Sequence, residues 1–64
     1  MEKTNDILLA YEGILSALGT AYFDAGLTWD EFRDAVAEVI LDLSGSLEGV
    51  DVDAIANHIW QGYL

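Results

Sequence analysis

The sequence predicts an all-α protein, a small three-helix bundle that forms a single acidic helical domain over residues 1–64. Apolar residues recur with the spacing of a helix, and no segment of four or more alternates with the period of a strand. Capping residues and glycines divide the chain into three segments with short connections, which favours helices packed as a bundle. The chain contains no cysteine, so helix packing or association must stabilise its small core.

The first helix is predicted to begin near Thr4 or Asn5, either of which can cap it, and to stop at Gly26. Gly19 is expected to bend or break this helix, because glycine weakens a helix by up to about 1 kcal/mol relative to alanine. Its apolar positions are Ile7, Leu8, Tyr11, Ile14, Leu15, Leu18 and Tyr22. A small-residue stripe lies beside them and consists of Ala10, Gly13, Ala17 and Ala21. A helix that is apolar nearly all round is usually buried on several sides.

The second and third helices have clearer boundaries. Thr28 and Glu31 have the spacing of a capping box, which predicts a helix start at this point, and Ser44-Gly45 ends that helix. The apolar face of the second helix consists of Trp29, Phe32, Val36, Val39, Ile40 and Leu43. Asp51 is predicted to cap the third helix. The apolar face of the third helix consists of Val52, Ile55, Ala56, Ile59 and Tyr63, with Trp60 alongside.

The charge of the chain restricts its partners. Twelve Asp and Glu residues face only Lys3 and Arg33, so the formal net charge is −10. Direct binding to nucleic acid or to an anionic membrane is disfavoured, since both need basic patches, and a basic partner protein is favoured. No uncharged stretch is long enough to span a bilayer, and the N-terminal residues lack the basic region of a secretory signal. We therefore expect a cytoplasmic protein.

The residues predict neither an enzyme nor a metal or cofactor site. His58 is the single histidine, and a catalytic triad would need it beside both a nucleophile and a carboxylate. The candidate carboxylate, Asp51, lies seven residues earlier, too far for direct contact within a helix. Glu48, Asp51 and Asp53 form an acidic cluster, but the ligand spacing of an EF-hand is absent. Asp51 and Asp53 are better explained as residues that stabilise the start of the third helix.

Two motif comparisons also fail. Residues 25–28 could join the helices of a helix-turn-helix, but the second helix would present acidic side chains to the phosphates, with only Arg33 to offset them. Residues 44–47 read Ser-Gly-Ser-Leu, which invites comparison with acyl carrier proteins. However, no Asp-Ser-Leu triplet opens a helix, so that likeness is one of composition alone.

An acidic stripe runs along the second helix and consists of Asp30, Asp34, Glu38 and Asp42, with Glu31 adjacent. Its members stand about 6 Å apart along the axis, close to the roughly 6–7 Å between every second phosphate of one DNA strand. Like charges four residues apart destabilise a helix by about 0.2–0.5 kcal/mol per pair, and ordinary surfaces interleave Lys or Arg. A functional acidic face is the hypothesis that we favour. A merely solvated face and a halophilic origin are the alternatives.

Aromatic residues form the last group of candidate binding residues. Two tryptophans, three tyrosines and two phenylalanines exceed what a three-helix core needs. Trp and Tyr are enriched at binding hot spots, so a surface patch is predicted at Phe23, Trp60, Tyr63 and Leu64. The alternative is that these side chains belong to the core. We take Trp60 and Tyr63 as partner-binding residues together with the acidic stripe.

The combination of small size, acidity, helical character and absence of catalytic motifs is similar in kind to phage-encoded inhibitors of bacterial defence. These include anti-CRISPR proteins that mimic nucleic acid. The resemblance is one of composition across the whole chain and rests on no motif. It implies a non-enzymatic inhibitor that blocks a basic nucleic-acid-binding groove on a host protein, in the cytoplasm of the host cell. The acidic stripe would stand in for phosphates, with Arg33 and the C-terminal aromatic residues setting specificity.

The alternative function is that of an obligate helical oligomer or adaptor that binds through the apolar first helix. The small-residue stripe would permit the close approach of a copy of the chain or of another protein. Because a lone monomer of this length is marginally stable, we also expect a homodimer at micromolar concentration. Salt separates the two functions, since it weakens electrostatic mimicry but is tolerated or preferred by apolar association.

Overall fold

The computed structural model describes the backbone of residues 2–63 and the side chains of residues 3–62. Its helices are α1 (Glu2–Asp24), α2 (Trp29–Ser44) and α3 (Val52–Trp60), followed by a short 3₁₀ helix at Gln61–Tyr63. Every pair of α-helices packs together, and the described range contains no strand. The predicted all-α three-helix bundle is confirmed. No helix in this range has both the length and the hydropathy that crossing a membrane requires.

The core is filled by large side chains from all three helices. Its buried members are Ile7, Leu15, Phe32, Val36, Ile40, Val52, Ile55, Ala56, Ile59 and Trp60. Fully burying an apolar side chain of this size stabilises the fold by roughly 1.5–3 kcal/mol. The three α2 residues in this set are completely buried, so one face of α2 is fixed against the bundle and the opposite face is left to solvent.

The start of α1 differs from the prediction. The helix begins at Glu2, so neither Thr4 nor Asn5 caps it and that prediction is wrong. Thr4 is instead a buried residue inside α1, and its hydroxyl accepts a hydrogen bond from the Asp51 amide at 2.9 Å. The physical reason is a tertiary contact, because the Thr4 hydroxyl accepts from a backbone amide at the start of α3. The residues before Thr4 extend α1 to Glu2.

The irregularity in α1 lies at Tyr11 and not at Gly19, so the expected bend at Gly19 is wrong. Tyr11 has φ −119° and ψ 18°, outside the helical range. Gly19 is buried. Gly13 is exposed, with no neighbouring atom within 4 Å of a Cβ built on it. The kink therefore lies two residues before the exposed Gly13.

Glycines end α1 and α2 as predicted. Gly26 has φ 77°, and its amide donates to the Phe23 carbonyl while the Leu27 amide donates to the Tyr22 carbonyl, both at 3.1 Å. This is the hydrogen-bond pattern of a Schellman motif. Gly45 has φ 81° at the end of α2. Both positions need the left-handed conformation that glycine adopts without steric cost.

Side chains cap the starts of α2 and α3, as predicted. The Glu31 amide donates to Thr28 Oγ1 at 3.3 Å, and Glu31 Oε1 accepts from the Thr28 amide at 3.2 Å, which completes the capping box. In α3, the Ala54 amide donates to Asp51 Oδ1 at 3.1 Å. These local contacts fix where each helix begins, and hence which residues of α2 point outward.

Two positions predicted to lie on buried apolar faces are exposed. Leu43 of α2 is 42% exposed and Ile14 of α1 is 52% exposed. Leu9 is 75% exposed and every member of the small-residue stripe is exposed, so the expectation that α1 is buried on several sides is also wrong. Periodicity gives the direction of a side chain but not whether another helix reaches far enough to cover it.

Candidate functional site

The acidic stripe occupies the side of α2 that faces away from the core. All five members are exposed, whereas Phe32, Val36 and Ile40 on the other side are buried. Positions four apart in a helix advance about 6 Å along the axis and about 40° around it. Between Asp30 and Asp42 the stripe therefore covers about 18 Å and winds about 120° around α2, in the right-handed sense of the helix itself.

The five carboxylates differ in how far the fold already uses them. Glu31 belongs to the capping box, where its carboxylate accepts from both the amide and the hydroxyl of Thr28. Asp34 has a long contact of 3.5 Å with the guanidinium of Arg33. The remaining carboxylates have no hydrogen-bond or ion-pair partner among the side chains of residues 3–62, and these are Asp30, Glu38 and Asp42.

Both basic side chains of the protein are engaged inside the fold. Arg33 Nε donates to Asp53 Oδ1 at 2.6 Å and so ties α2 to α3. This hydrogen bond, together with the negative charge of Asp53, raises the pKa of the Arg33 guanidinium. Lys3 Nζ donates to the Glu48 carbonyl at 2.5 Å. The cation nearest to the acidic stripe is therefore held by α3, and the proposed role of Arg33 in specificity stays a prediction.

An exposed leucine lies within the acidic stripe, and the sequence reasoning missed it. Leu41 is 47% exposed. It follows Glu38 by three residues and Asp34 by seven, spacings that place all three side chains on one side of a helix. That spacing was the signal that could have identified it. The outward face of α2 is thus a row of carboxylates with one aliphatic side chain among them.

The predicted aromatic patch is largely absent from the described surface. Trp60 is only 8% exposed, because its indole stacks on Phe32 at 5.0 Å and meets the edge of Phe23 at 5.5 Å. The prediction of Trp60 as a surface residue is wrong; it is a core residue that joins all three helices. Phe23 is 38% exposed. The side chain of Tyr63 and the whole of Leu64 lie outside the described residues.

The other polar groups do not assemble into a chemical site in the described part of the chain. His58 is exposed on α3. Within the acidic cluster weighed as a metal site, Asp51 caps α3 and Asp53 pairs with Arg33. Among the described residues, no group of three or more His, Cys, Asp or Glu side chains is placed to hold a metal ion, and there is no pocket.

Among protein-family models, curated proteins and solved structures, none matches this chain. Its function is therefore inferred from the acidic stripe and the residues around it.

Proposed function

We propose that the protein is a non-enzymatic inhibitor that uses the acidic stripe to occupy a basic nucleic-acid-binding groove on a host protein. The observation that carries the proposal is an exposed helix face with five carboxylates, whose neighbouring cation, Arg33, is paired with Asp53 of α3. Such a face costs stability through like-charge pairs, and binding to a basic partner would offset that cost. The proposed setting is the host cytoplasm, as for phage-encoded inhibitors of bacterial defence.

The shape of the stripe supports mimicry of a nucleic-acid strand. Nine steps of about 40° complete a turn, so the stripe winds right-handed with a pitch of about 54 Å. A strand of B-DNA is also right-handed, with one turn in about 34–36 Å. Over the roughly 18 Å from Asp30 to Asp42, the stripe winds about 120° and a strand of B-DNA about 180–190°, so the two paths differ by about 60–70° at the end of the stripe. A groove that accepts every second phosphate of one strand can accept the carboxylates from Asp30 to Asp42.

The charge of the whole molecule supports the same function. A net charge of −10 on 64 residues attracts a basic groove over distances up to the Debye length, about 8 Å at physiological salt. Lys3 and Arg33 are both engaged within the fold, and Arg33 meets the stripe through its long contact of 3.5 Å with Asp34, so the stripe keeps most of its negative charge. Complementary charge acts mainly on the rate of association, so binding should weaken steeply as salt rises.

The test compares two triple variants that remove the same charge from different helices. The stripe variant is Asp34→Asn, Glu38→Gln and Asp42→Asn; the control is Asp6→Asn, Glu12→Gln and Asp24→Asn on α1. All six residues are exposed, and each triple changes the net charge from −10 to −7. Immobilised proteins are incubated with bacterial lysate at low salt. Bound proteins are then eluted with duplex DNA or RNA at constant ionic strength and identified by mass spectrometry.

We expect the control to retain nucleic-acid-binding proteins that the competitor releases, and the stripe variant to lose them. The stripe variant should also be more stable than the wild type by about 0.6–1.5 kcal/mol, because three like-charge pairs are removed at about 0.2–0.5 kcal/mol each. Equal loss by both variants would indicate attraction to net charge alone. Retention by the stripe variant, or proteins that nucleic acid does not displace, would contradict mimicry by α2.

A further inference from the structure

Leu41 is an apolar side chain on the outward face of α2 that the core does not use. It is 47% exposed, and it belongs neither to the buried core nor to the half-buried side chains packed against that core. Around the helix axis, at about 100° per residue, Leu41 lies about 20° from Asp34 and about 60° from Glu38. One carboxylate therefore precedes Leu41 along this face and another lies beside it, while about half of the leucine surface stays open to solvent.

The acidic stripe is a single row of carboxylates, because the two helices beside α2 carry few. The sequence of α3 contains one acidic residue, Asp53, and it pairs with Arg33. Between residues 7 and 23 of α1 the only charged residue is Glu12. A nucleic-acid duplex presents two rows of phosphates, one on each strand, so a groove shaped for a duplex would find only one of them here. One row of carboxylates corresponds to one strand.

The path of the acidic stripe also differs from that of a duplex strand. Over its length of about 18 Å, the stripe winds about 60–70° less than a strand of B-DNA. Base pairing holds each strand of a duplex to its pitch, whereas a single strand is free of that constraint. Proteins that bind single strands follow the backbone with a basic groove and stack aromatic side chains on the bases. A single strand thus has the two features of the outward face of α2, a row of negative charge and an apolar surface beside it.

We propose that the acidic stripe and Leu41 together occupy a groove that binds single-stranded nucleic acid. The carboxylates take the place of phosphates, and Leu41 packs against an aromatic side chain in the place of a base. This inference rests on the proposed function and narrows its partner to one class of protein. Charge complementarity selects that class, because an apolar side chain framed by carboxylates fits an apolar surface that is framed by basic residues. A basic groove with aromatic stacking platforms has this arrangement.

The experiment compares single-stranded and duplex competitors on the immobilised full chain after incubation with bacterial lysate at low salt. One sample is eluted with a mixture of oligothymidylate and oligouridylate, and the other with blunt DNA and RNA duplexes at equal nucleotide concentration and ionic strength. We expect the single strands to release the retained nucleic-acid-binding proteins and the duplexes to leave most of them bound. The most abundant released protein is identified by mass spectrometry and purified. Its affinity for each variant is then measured by competition against a fluorescent single-stranded oligonucleotide.

Variants of Leu41 test the apolar contact separately from the charge. Leu41→Gln keeps a similar helix propensity but replaces the apolar end of the side chain, so affinity should fall about fivefold or more. Leu43→Gln is the matched control, because Leu43 is 42% exposed and lies about 200° around α2 from Leu41. It should bind as the wild type does, with the thermal midpoints of both variants confirming that they fold. Leu41→Trp offers a flat ring for stacking and should bind more tightly than the wild type.

The outcomes separate this inference from the proposed function. Release by duplexes as readily as by single strands would overturn the inference and leave the proposed function intact. So would a Leu41→Gln variant that binds the purified protein as tightly as the wild type. Proteins that neither competitor releases, or a lysate from which no nucleic-acid-binding protein is retained, would contradict the proposed function and this inference together.

Discussion

Replacing Thr4 by valine tests the contact that joins the start of α1 to the start of α3. Thr4 is 8% exposed, and its Oγ1 accepts a hydrogen bond from the Asp51 amide at 2.9 Å. Valine keeps the shape and a similar helix propensity but removes the acceptor. A partly buried amide without a partner costs about 1–3 kcal/mol. A chain of this length has about 3–10 kcal/mol of total stability, at 0.05–0.15 kcal/mol per residue, so the loss should be large.

Urea denaturation measures this loss as a lower midpoint with an unchanged slope. Thr20→Val is a control on the same helix, because Thr20 is exposed and its hydroxyl donates to the Ser16 carbonyl one turn earlier. We expect that variant to lie within about 0.5 kcal/mol of the wild type. Thr4→Ser keeps the hydroxyl and should recover most of the loss. Equal midpoints for the two valine variants would refute a stabilising role for the Thr4–Asp51 contact.

Three further substitutions test other parts of the fold. Thr28→Ala removes the acceptor of the capping box and should lower the free energy of unfolding by about 0.5–2 kcal/mol; an unchanged denaturation midpoint would show that the box does not contribute. Gly45→Ala forces a Cβ into the left-handed region at φ 81° and should cost about 1–2 kcal/mol by thermal denaturation, without any new clash. Trp60→Ala should cost about 3–5 kcal/mol and unfold much of the population, as judged by circular dichroism. A variant with the helicity and the denaturation midpoint of the wild type would contradict the placement of Trp60 in the core.

The bounds of α2 could be predicted from the sequence because short-range contacts determine them. The capping box joins residues three apart, and Gly45 adopts its left-handed conformation within a single turn. The same holds for Asp51 at the start of α3. These interactions need no information about the rest of the fold. The exposure of the acidic stripe followed from the same bounds, since fixing the helix start and the apolar positions also fixes the outward side.

The features that were mispredicted depend on contacts between distant residues. Threonine is a residue type that often caps helices, but the Thr4 hydroxyl accepts a hydrogen bond from the amide of Asp51, which is far away in sequence. The prediction that Trp60 lies at the surface rests on the number of aromatic residues, seven in a chain with a small core. A small bundle has few core positions, however, and large rings such as Trp60 and Phe32 fill its volume with few side chains. Only the packed structure distinguishes these outcomes.

The acidic stripe and the fold use nearly separate sets of residues. The core, the caps, the Arg33–Asp53 pair and the Thr4 contact involve no stripe residue except Glu31. The other four carboxylates can therefore change without loss of the bundle, and neutralising them relieves repulsion. A sequence free to vary at four exposed positions would reach a mixture of charges if stability alone determined it. The uniform sign at these positions thus argues for a requirement outside the fold, and the proposed binding to a basic groove would be one such requirement.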